Sequence, residues 1–256
     1  MNLTHAGRTA LITGASRLIG IGAATCLELA QSGANIVFTH WSNYDREQYG
    51  TASGEPEQLM AQLKSLGVKA AAIEVDLSAA GCGPATFDAA EAAVGKIDIL
   101  VNNAAHSTHD NVYTLTVESL DMHYFVNARA TAMLTVEFAR RFEGKHGRVV
   151  SFSSGQHLGP MPDELGYIMS KGAIIAFAQS ISQDLAKQGI TVNILNPGGT
   201  DTGWMTPEFR EQIALEHPMG RVGTAADAAR AVAWLTSEEA FWINGQIINS
   251  EGFFRG

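Results

Sequence analysis

Thr13-Gly14-Ala15-Ser16-Arg17-Leu18-Ile19-Gly20-Ile21-Gly22 is the stretch that decides the fold. It follows Arg8–Thr13, a short apolar run that reads as a buried strand, and leads into Gly22–Ser32, which reads as a helix. Glycines at a strand-to-helix junction let the backbone turn sharply. They also let it approach a pyrophosphate, whose charge meets the free N–H groups at the start of the helix. Glycines serve any tight turn as well, so the junction takes its meaning from its surroundings.

Outward from it, apolar runs alternate with helical patterns. Asn35–Thr39, Lys69–Val75, Ile97–Asn102, Arg148–Phe152, Ile190–Leu195 and Gln246–Asn249 read as further strands. Between them, Pro56–Leu66 sets Leu59, Leu63 and Leu66 along one helical face, and Pro84–Val94 is alanine-rich. Val117–Phe142 reads as one or two helices, Gly166–Lys187 as a long one, and Pro207–Leu215 and Ala225–Leu235 as two more. Strands that are continuously apolar rather than alternating are buried on both faces, the mark of a parallel sheet. With helical crossovers this predicts an α/β fold, a doubly wound sheet of about seven strands with helices on both faces. No linker, repeat or low-complexity tract interrupts the chain, so residues 1–256 are expected to form a single domain. Only His40–Glu55, polar and aromatic, has no clear element.

Composition narrows the function. The 256 residues carry 17 Lys+Arg against 26 Asp+Glu, a net charge of −9, which argues against a binder of nucleic-acid phosphates. No apolar run approaches the roughly 18 residues that span a bilayer. The start, Met1-Asn2-Leu3-Thr4-His5, lacks the apolar core of a secretory signal. Cys26 and Cys82 make no disulfide framework. A soluble cytoplasmic protein is expected. His106 and His109 lie three apart without a third ligand at clear spacing, so no metal is expected.

Four further motifs carry chemistry. Tyr167-Ile168-Met169-Ser170-Lys171 puts a phenol and an ammonium on one helix face. Ser154 lies thirteen residues before Tyr167, just beyond the fifth strand. Val101-Asn102-Asn103-Ala104-Ala105 ends the fourth strand, and Asn196-Pro197-Gly198-Gly199-Thr200-Asp201-Thr202 follows the sixth. Together these resemble the classical short-chain dehydrogenase/reductase family, most closely its 3-oxoacyl-[acyl-carrier-protein] reductases, over essentially the whole chain. The family fingerprint is T-G-x-x-x-G-x-G. Here five residues separate Gly14 from Gly20, so either Leu18 replaces the middle glycine or two residues are inserted. The insertion fits better, because Gly20-Ile21-Gly22-Ala23-Ala24 then runs in phase with Leu29, Ala30, Gly33 and Ala34. Ala105 and Phe253 stand where relatives carry glycine.

The resemblance implies a Rossmann fold and hydride transfer between a nicotinamide and a carbonyl or alcohol. It assigns catalysis to Asn127, Ser154, Tyr167 and Lys171. It assigns the dinucleotide to Gly14, Ser16, Arg17, Gly20, Ile21, Gly22, His40, Asp76, Leu77, Asn103, Ala104, Pro197, Gly198, Thr200 and Thr202, with Tyr167 and Lys171 also touching it. NAD-preferring relatives carry Asp at the position of His40. Its absence, with Arg17 in the glycine loop and Arg46 nearby, favours NADP(H) over NAD(H). Tyr167 would protonate the nascent alkoxide, with its pKa pulled below 10 by Lys171. Ser154 would hold the carbonyl oxygen, and Asn127 would anchor a water linking Lys171 to solvent. His106, His157, Leu158, Met161, Trp204 and Met205 would wall the pocket. Enoyl reductases of related fold set tyrosine seven residues before lysine, and Glu164 stands there, which disfavours that activity. The expected substrate is a small-molecule or acyl-thioester carbonyl. The expected assembly is a homotetramer or dimer, built through Val117–Phe142 and Gly166–Lys187 with Phe138, Ile174, Ile175 and Phe177 among the apolar residues beyond one stripe. Two alternatives are an NAD-dependent alcohol or sugar dehydrogenase of the family and a redox-sensing regulator without turnover.

Overall fold

In the computed structural model, residues 5–50 and 54–253 are described; residues 1–4 of the quoted N-terminus fall outside them. The strands β1 (Thr9–Ile12), β2 (Asn35–His40), β3 (Ala70–Glu74), β4 (Ile99–Asn102), β5 (Gly147–Phe152) and β6 (Ile190–Asn196) are followed by a two-residue pair, β7 (Thr200–Asp201) and β8 (Gly223–Thr224), and by β9 (Ile247–Asn249). Seven of them form one sheet in the order β3-β2-β1-β4-β5-β6-β9. Every pairing in it is parallel.

The strand residues explain why both faces are covered. Ala10, Ile12, Ile36 and Phe38 point to one face, where they pack with Cys26 and Leu29 of α1 (Ile21–Gln31), Leu59 and Leu63 of α3 (Glu55–Ser65) and Val232 of α9 (Ala225–Thr236). Leu11, Val37 and Leu100 alternate to the other face. There they meet Phe87 of α4 (Cys82–Val94), Leu134 and Phe138 of α6 (Ala130–Arg141) and Ala178 of α7 (Leu165–Ala186). Cys26 is a fully buried thiol, and burial pushes its pKa up, as befits a small core residue.

Two stretches differ from their sequence reading. The His40–Glu55 connection contains a helix, α2 (Ser42–Tyr49), closed by Gly50 at φ 80°. Its sequence, SNYDREQY, has no apolar stripe, so periodicity does not reveal it. Val117–Phe142 is helical as expected, but with an unforeseen feature: α5 (Val117–His123) widens into a π-helical segment, Tyr124–Arg129, before α6 begins. Such bulges re-aim side chains and recur at functional sites. Asn127 lies in this one.

The strand order reverses between β1 and β4, so their C-terminal ends open a crevice where ligands of doubly wound sheets bind. At that crevice the backbone is crowded. Gly14 has φ 72°, and a side chain there would sit 2.6 Å from the Cα of Ala104. A Cβ on Gly22 would lie 2.4 Å from the Gly14 carbonyl oxygen. This tight approach of α1 to the strand is the task of the last glycine of a dinucleotide loop. It supports the reading in which two residues are inserted before Gly20-Ile21-Gly22.

Candidate active site

A cleft of about 1040 Å³ runs along the C-terminal ends of the strands. At its floor, β4 is stitched to the glycine loop. Asn103 Nδ2 donates to the carbonyls of Thr13 and Gly14, both at 2.9 Å, and the Thr13 hydroxyl accepts from the N–H groups of Asn103 and Ala104. Ala105 causes no strain, since no non-glycine residue among those described has positive φ. Gly14, Ser16, Arg17, Gly20 and Ile21 line the cleft above this floor, and Gly22 lies beneath it. Helix α1 starts on Gly20 with no side-chain cap and no acid in its first turn. Its N–H groups and positive dipole end are thus left for an external anion.

Further along the wall, His40 ends β2 with a buried Nδ1 that has no partner among the described residues. Asp76 accepts from the N–H and hydroxyl of Ser78 at 2.8 and 2.7 Å, and Leu77 beside it is buried. Pro197, Gly198, Thr200 and Thr202 form the opposite lip. Arg17 reaches that lip, with Nη2 donating to the Thr202 carbonyl at 2.8 Å, so its guanidinium bridges the cleft rather than serving the β2 end alone. These cofactor candidates converge on one groove, and the unpartnered groups at α1 and His40 fit a dinucleotide.

The four residues assigned to catalysis meet at the other end. Helix α7 carries Tyr167 and Lys171 on the face toward β5, and Ser154 follows β5 directly. The Ser154 hydroxyl and the phenol of Tyr167 share the cleft lining, close enough for the serine to stabilise the phenolate in part. Lys171 is buried, its Nζ donating to the Phe152 carbonyl at 2.9 Å and lying 5.4 Å from the Tyr167 ring centroid. Asn127 is fully buried behind them. Its Oδ1 accepts from the His106 N–H at 2.7 Å, and its Nδ2 donates to the His106 carbonyl and the Ser170 hydroxyl, both at 2.9 Å. Both amide N–H groups are therefore taken. The side chain pins the loop after β4 to α7.

Electrostatics corrects one expectation. The Tyr167 phenol is pushed up, not below 10, because burial disfavours the phenolate, the Glu164 carboxylate repels it, and Ser154 offsets them only in part. Burial also lowers Lys171 to about 8. The depressed lysine and the elevated tyrosine are one effect of a dry site, which penalises charge on either group. A neutral phenol at pH 7 is suited to give a proton.

Of the expected pocket walls, His106, Met161 and Trp204 line the cleft. Met205 is buried in the protein, while His157 is held by the Ser154 carbonyl and Asn249, and neither it nor Leu158 reaches the cleft. Sequence reasoning missed Trp41, Tyr44 and Asp45 from α2 and its approach, Phe209 from α8 (Pro207–Glu216), and Glu251. It also missed His123, fully buried, whose ring meets His106 edge-on at 4.8 Å and Tyr167 at 6.3 Å. Only the density of aromatic and polar residues in 41–49 signalled any of these. No group of three or more metal-ligating side chains occurs among the described residues.

A doubly wound parallel sheet with this crevice, with an uncapped helix start at one end and a tyrosine–lysine pair at the other, defines an NAD(P)-dependent oxidoreductase. The chain belongs to the classical short-chain dehydrogenase/reductase family. The matching family model, described as Enoyl-(Acyl carrier protein) reductase, covers residues 14–252. The chain is 47% identical over 253 residues to the uncharacterized oxidoreductase YjdA of Bacillus subtilis, covering 97% of this chain and 98% of that one. Among solved structures, the promiscuous reductase LugOII, which catalyses keto-reduction at C1 during lugdunomycin biosynthesis, superimposes with TM-score 0.86 at 34% identity, covering 98% of both chains. The angucycline C-6 ketoreductase LanV with bound NADP gives TM-score 0.85 at 32% identity, covering 98% of this chain and 96% of that one.

Proposed function

We propose that this protein is an NADP(H)-dependent carbonyl reductase acting on a small-molecule ketone or aldehyde. The observation that carries the reading is the convergence of Ser154, Tyr167 and Lys171 at one end of a groove whose other end offers the free N–H groups of α1. When bound, the reduced nicotinamide supplies the hydride. Ser154 holds the carbonyl oxygen, and Tyr167 delivers a proton to it as negative charge develops there. Lys171 holds the ribose hydroxyls and restores the phenol's proton, and Asn127 fixes the loop that frames both.

His106, Met161, Trp204 and Phe209 at the substrate end favour an apolar or aromatic carbonyl. The test is a panel of ketones, aldehydes and 3-oxoacyl thioesters with NADPH and NADH, read at the nicotinamide absorbance. Turnover of the 3-oxoacyl thioesters alone would move the assignment to a 3-oxoacyl-[acyl-carrier-protein] reductase. Dinucleotide binding without turnover of any member would favour a redox sensor.

Ser16, Arg17 and His40 are assigned to the adenosine 2′-phosphate, and NADP bound to LanV supports that choice. NADPH is expected to bind more tightly than NADH. Introducing a carboxylate at the end of β2, His40→Asp, should reverse the preference, through loss of charge-assisted bonds worth ~1.5–3 kcal/mol. Dissociation constants measured by quenching of tryptophan fluorescence check this, and a variant that still prefers NADPH refutes it.

A homotetramer or dimer is proposed through the expected helices, where Ile175 and Phe177 are half-buried. Phe138 and Ile174 are buried within the protomer, so they offer nothing to a partner. Tyr124, Met133 and Met169, on the π-helical segment, α6 and α7, are exposed instead. Sedimentation should find a multiple of the 27.3 kDa chain at micromolar concentration, and a monomer alone would refute the assembly.

A further inference from the structure

Helix α2 lies against the C-terminal end of β2 and lines the cleft with Tyr44, Asp45 and Glu47. Among these Asp45 is exceptional. It is only 9% exposed, whereas Glu47 is exposed. Burial pushes its carboxyl up from the usual range, while Ser16, Arg17 and His40, which line the same end of the cleft, act in the opposite sense and favour the charged form. Glu55, at the start of α3, opposes them. The surroundings are tied together as well. The Trp41 N–H donates to Ser16 Oγ at 3.4 Å, and the Leu18 N–H donates to Glu55. The glycine loop is thus tied to the approach to α2 and to the start of α3, with Asp45 buried beside it. Tyr44, the preceding residue, rests edge-on against His106 at 5.8 Å, which sets α2 across the groove.

Ser16, Arg17 and His40 are the donors assigned above to the 2′-phosphate. A carboxylate and a phosphate seek the same donors, and two anions in one small site repel. A 2′-hydroxyl makes no such demand, because it can donate to the carboxylate. We infer that Asp45 is a specificity-determining residue for the dinucleotide: its carboxylate holds the adenosine 2′ subsite and competes with a 2′-phosphate but not with a 2′-hydroxyl. The inference rests on the assignment of Ser16, Arg17 and His40 to that subsite. NADP(H) then binds only as Asp45 turns out of the subsite, and Asp45 limits the preference that Arg17 and His40 create.

Asp45→Asn keeps the shape of the side chain, exchanges one acceptor oxygen for an NH2 donor and removes the charge. Isothermal titration of the parent, Asp45→Asn and Glu57→Gln with 2′,5′-ADP, ADP, NADPH and NADH separates the effects. Asp45→Asn should tighten 2′,5′-ADP and NADPH by about tenfold or more, with ADP and NADH within about twofold or weaker. Glu57→Gln, an exposed site on α3, should move neither ratio, which removes a general effect of net charge. An unchanged or lowered ratio of 2′,5′-ADP to ADP affinity in Asp45→Asn overturns the inference. Retention of ADP binding serves as the check on folding, and Asp45→Ser, the second variant, should shift the ratio in the same direction. The parent's own preference tests the cofactor reading separately. A parent that prefers NADH, with a ratio that still shifts in Asp45→Asn, sinks NADP(H) and leaves the role of Asp45 standing.

Discussion

Tyr167→Phe should lose at least ~10²–10⁴-fold in turnover, the usual worth of a general acid, while its cofactor affinity stays close to the parent's. The ring and its packing survive, including the edge contact with His123 at 6.3 Å. What goes is the hydroxyl beside Ser154. Burial and Glu164 keep that hydroxyl protonated at neutral pH, so the parent always has a proton to give, and reduction should not require acid conditions. The same shift makes oxidation of an alcohol by the parent slow until the pH is high, since the phenolate is scarce. Steady-state turnover and a separate cofactor titration test both statements. Near-parent turnover in Tyr167→Phe on any substrate that the parent reduces would remove Tyr167 as the acid.

Lys171→Ala should lose turnover and cofactor affinity together, because one ammonium is assigned both to the ribose hydroxyls and to the proton supply. The loss separates it from Tyr167→Phe, which affects turnover alone. The parent adds a pH signature. Burial lowers Lys171 to about 8, so the ammonium is present below that pH and gives way to the amine above it. Reduction by the parent should therefore be level below about 8 and decline as the pH rises through it. Lys171→Arg keeps its charge at every accessible pH, so any activity it retains should lack that decline. A cofactor dissociation constant in Lys171→Ala equal to the parent's would refute the double assignment.

How far the site was legible depended on what held each part in place. The spacing from Ser154 through Tyr167 to Lys171 was readable because it spans one strand end, one short connection and one helix, and the geometry inside a helix is fixed by its own period. Gly14, Gly20 and Gly22 were readable for a similar reason, since a turn between a strand and a helix announces itself in residue type. Arg17 was found as a residue but not as a contact. Its long side chain bridges to Thr202, far away in the chain, and no local pattern encodes where a flexible guanidinium ends. Asn127 was found as a position, yet its partners His106 and Ser170 come from two other elements, so the contacts of its side chain were not readable.

The sequence by itself determined that this chain winds a parallel sheet. Its strands are apolar on consecutive residues, and only burial on both faces accommodates that. It also determined which hydroxyl, phenol and ammonium approach one another. Tertiary structure alone decided how those groups behave. Whether Tyr167 is raised or lowered depends on the balance of burial, Glu164 and Ser154 around it. That SNYDREQY lines the cleft, with Asp45 buried near Ser16, Arg17 and His40, follows from where the fold brings the glycine loop and β2 together. Periodicity records which face of an element is apolar. Charge, desolvation and the reach of long side chains act through space, between residues that only the fold brings together.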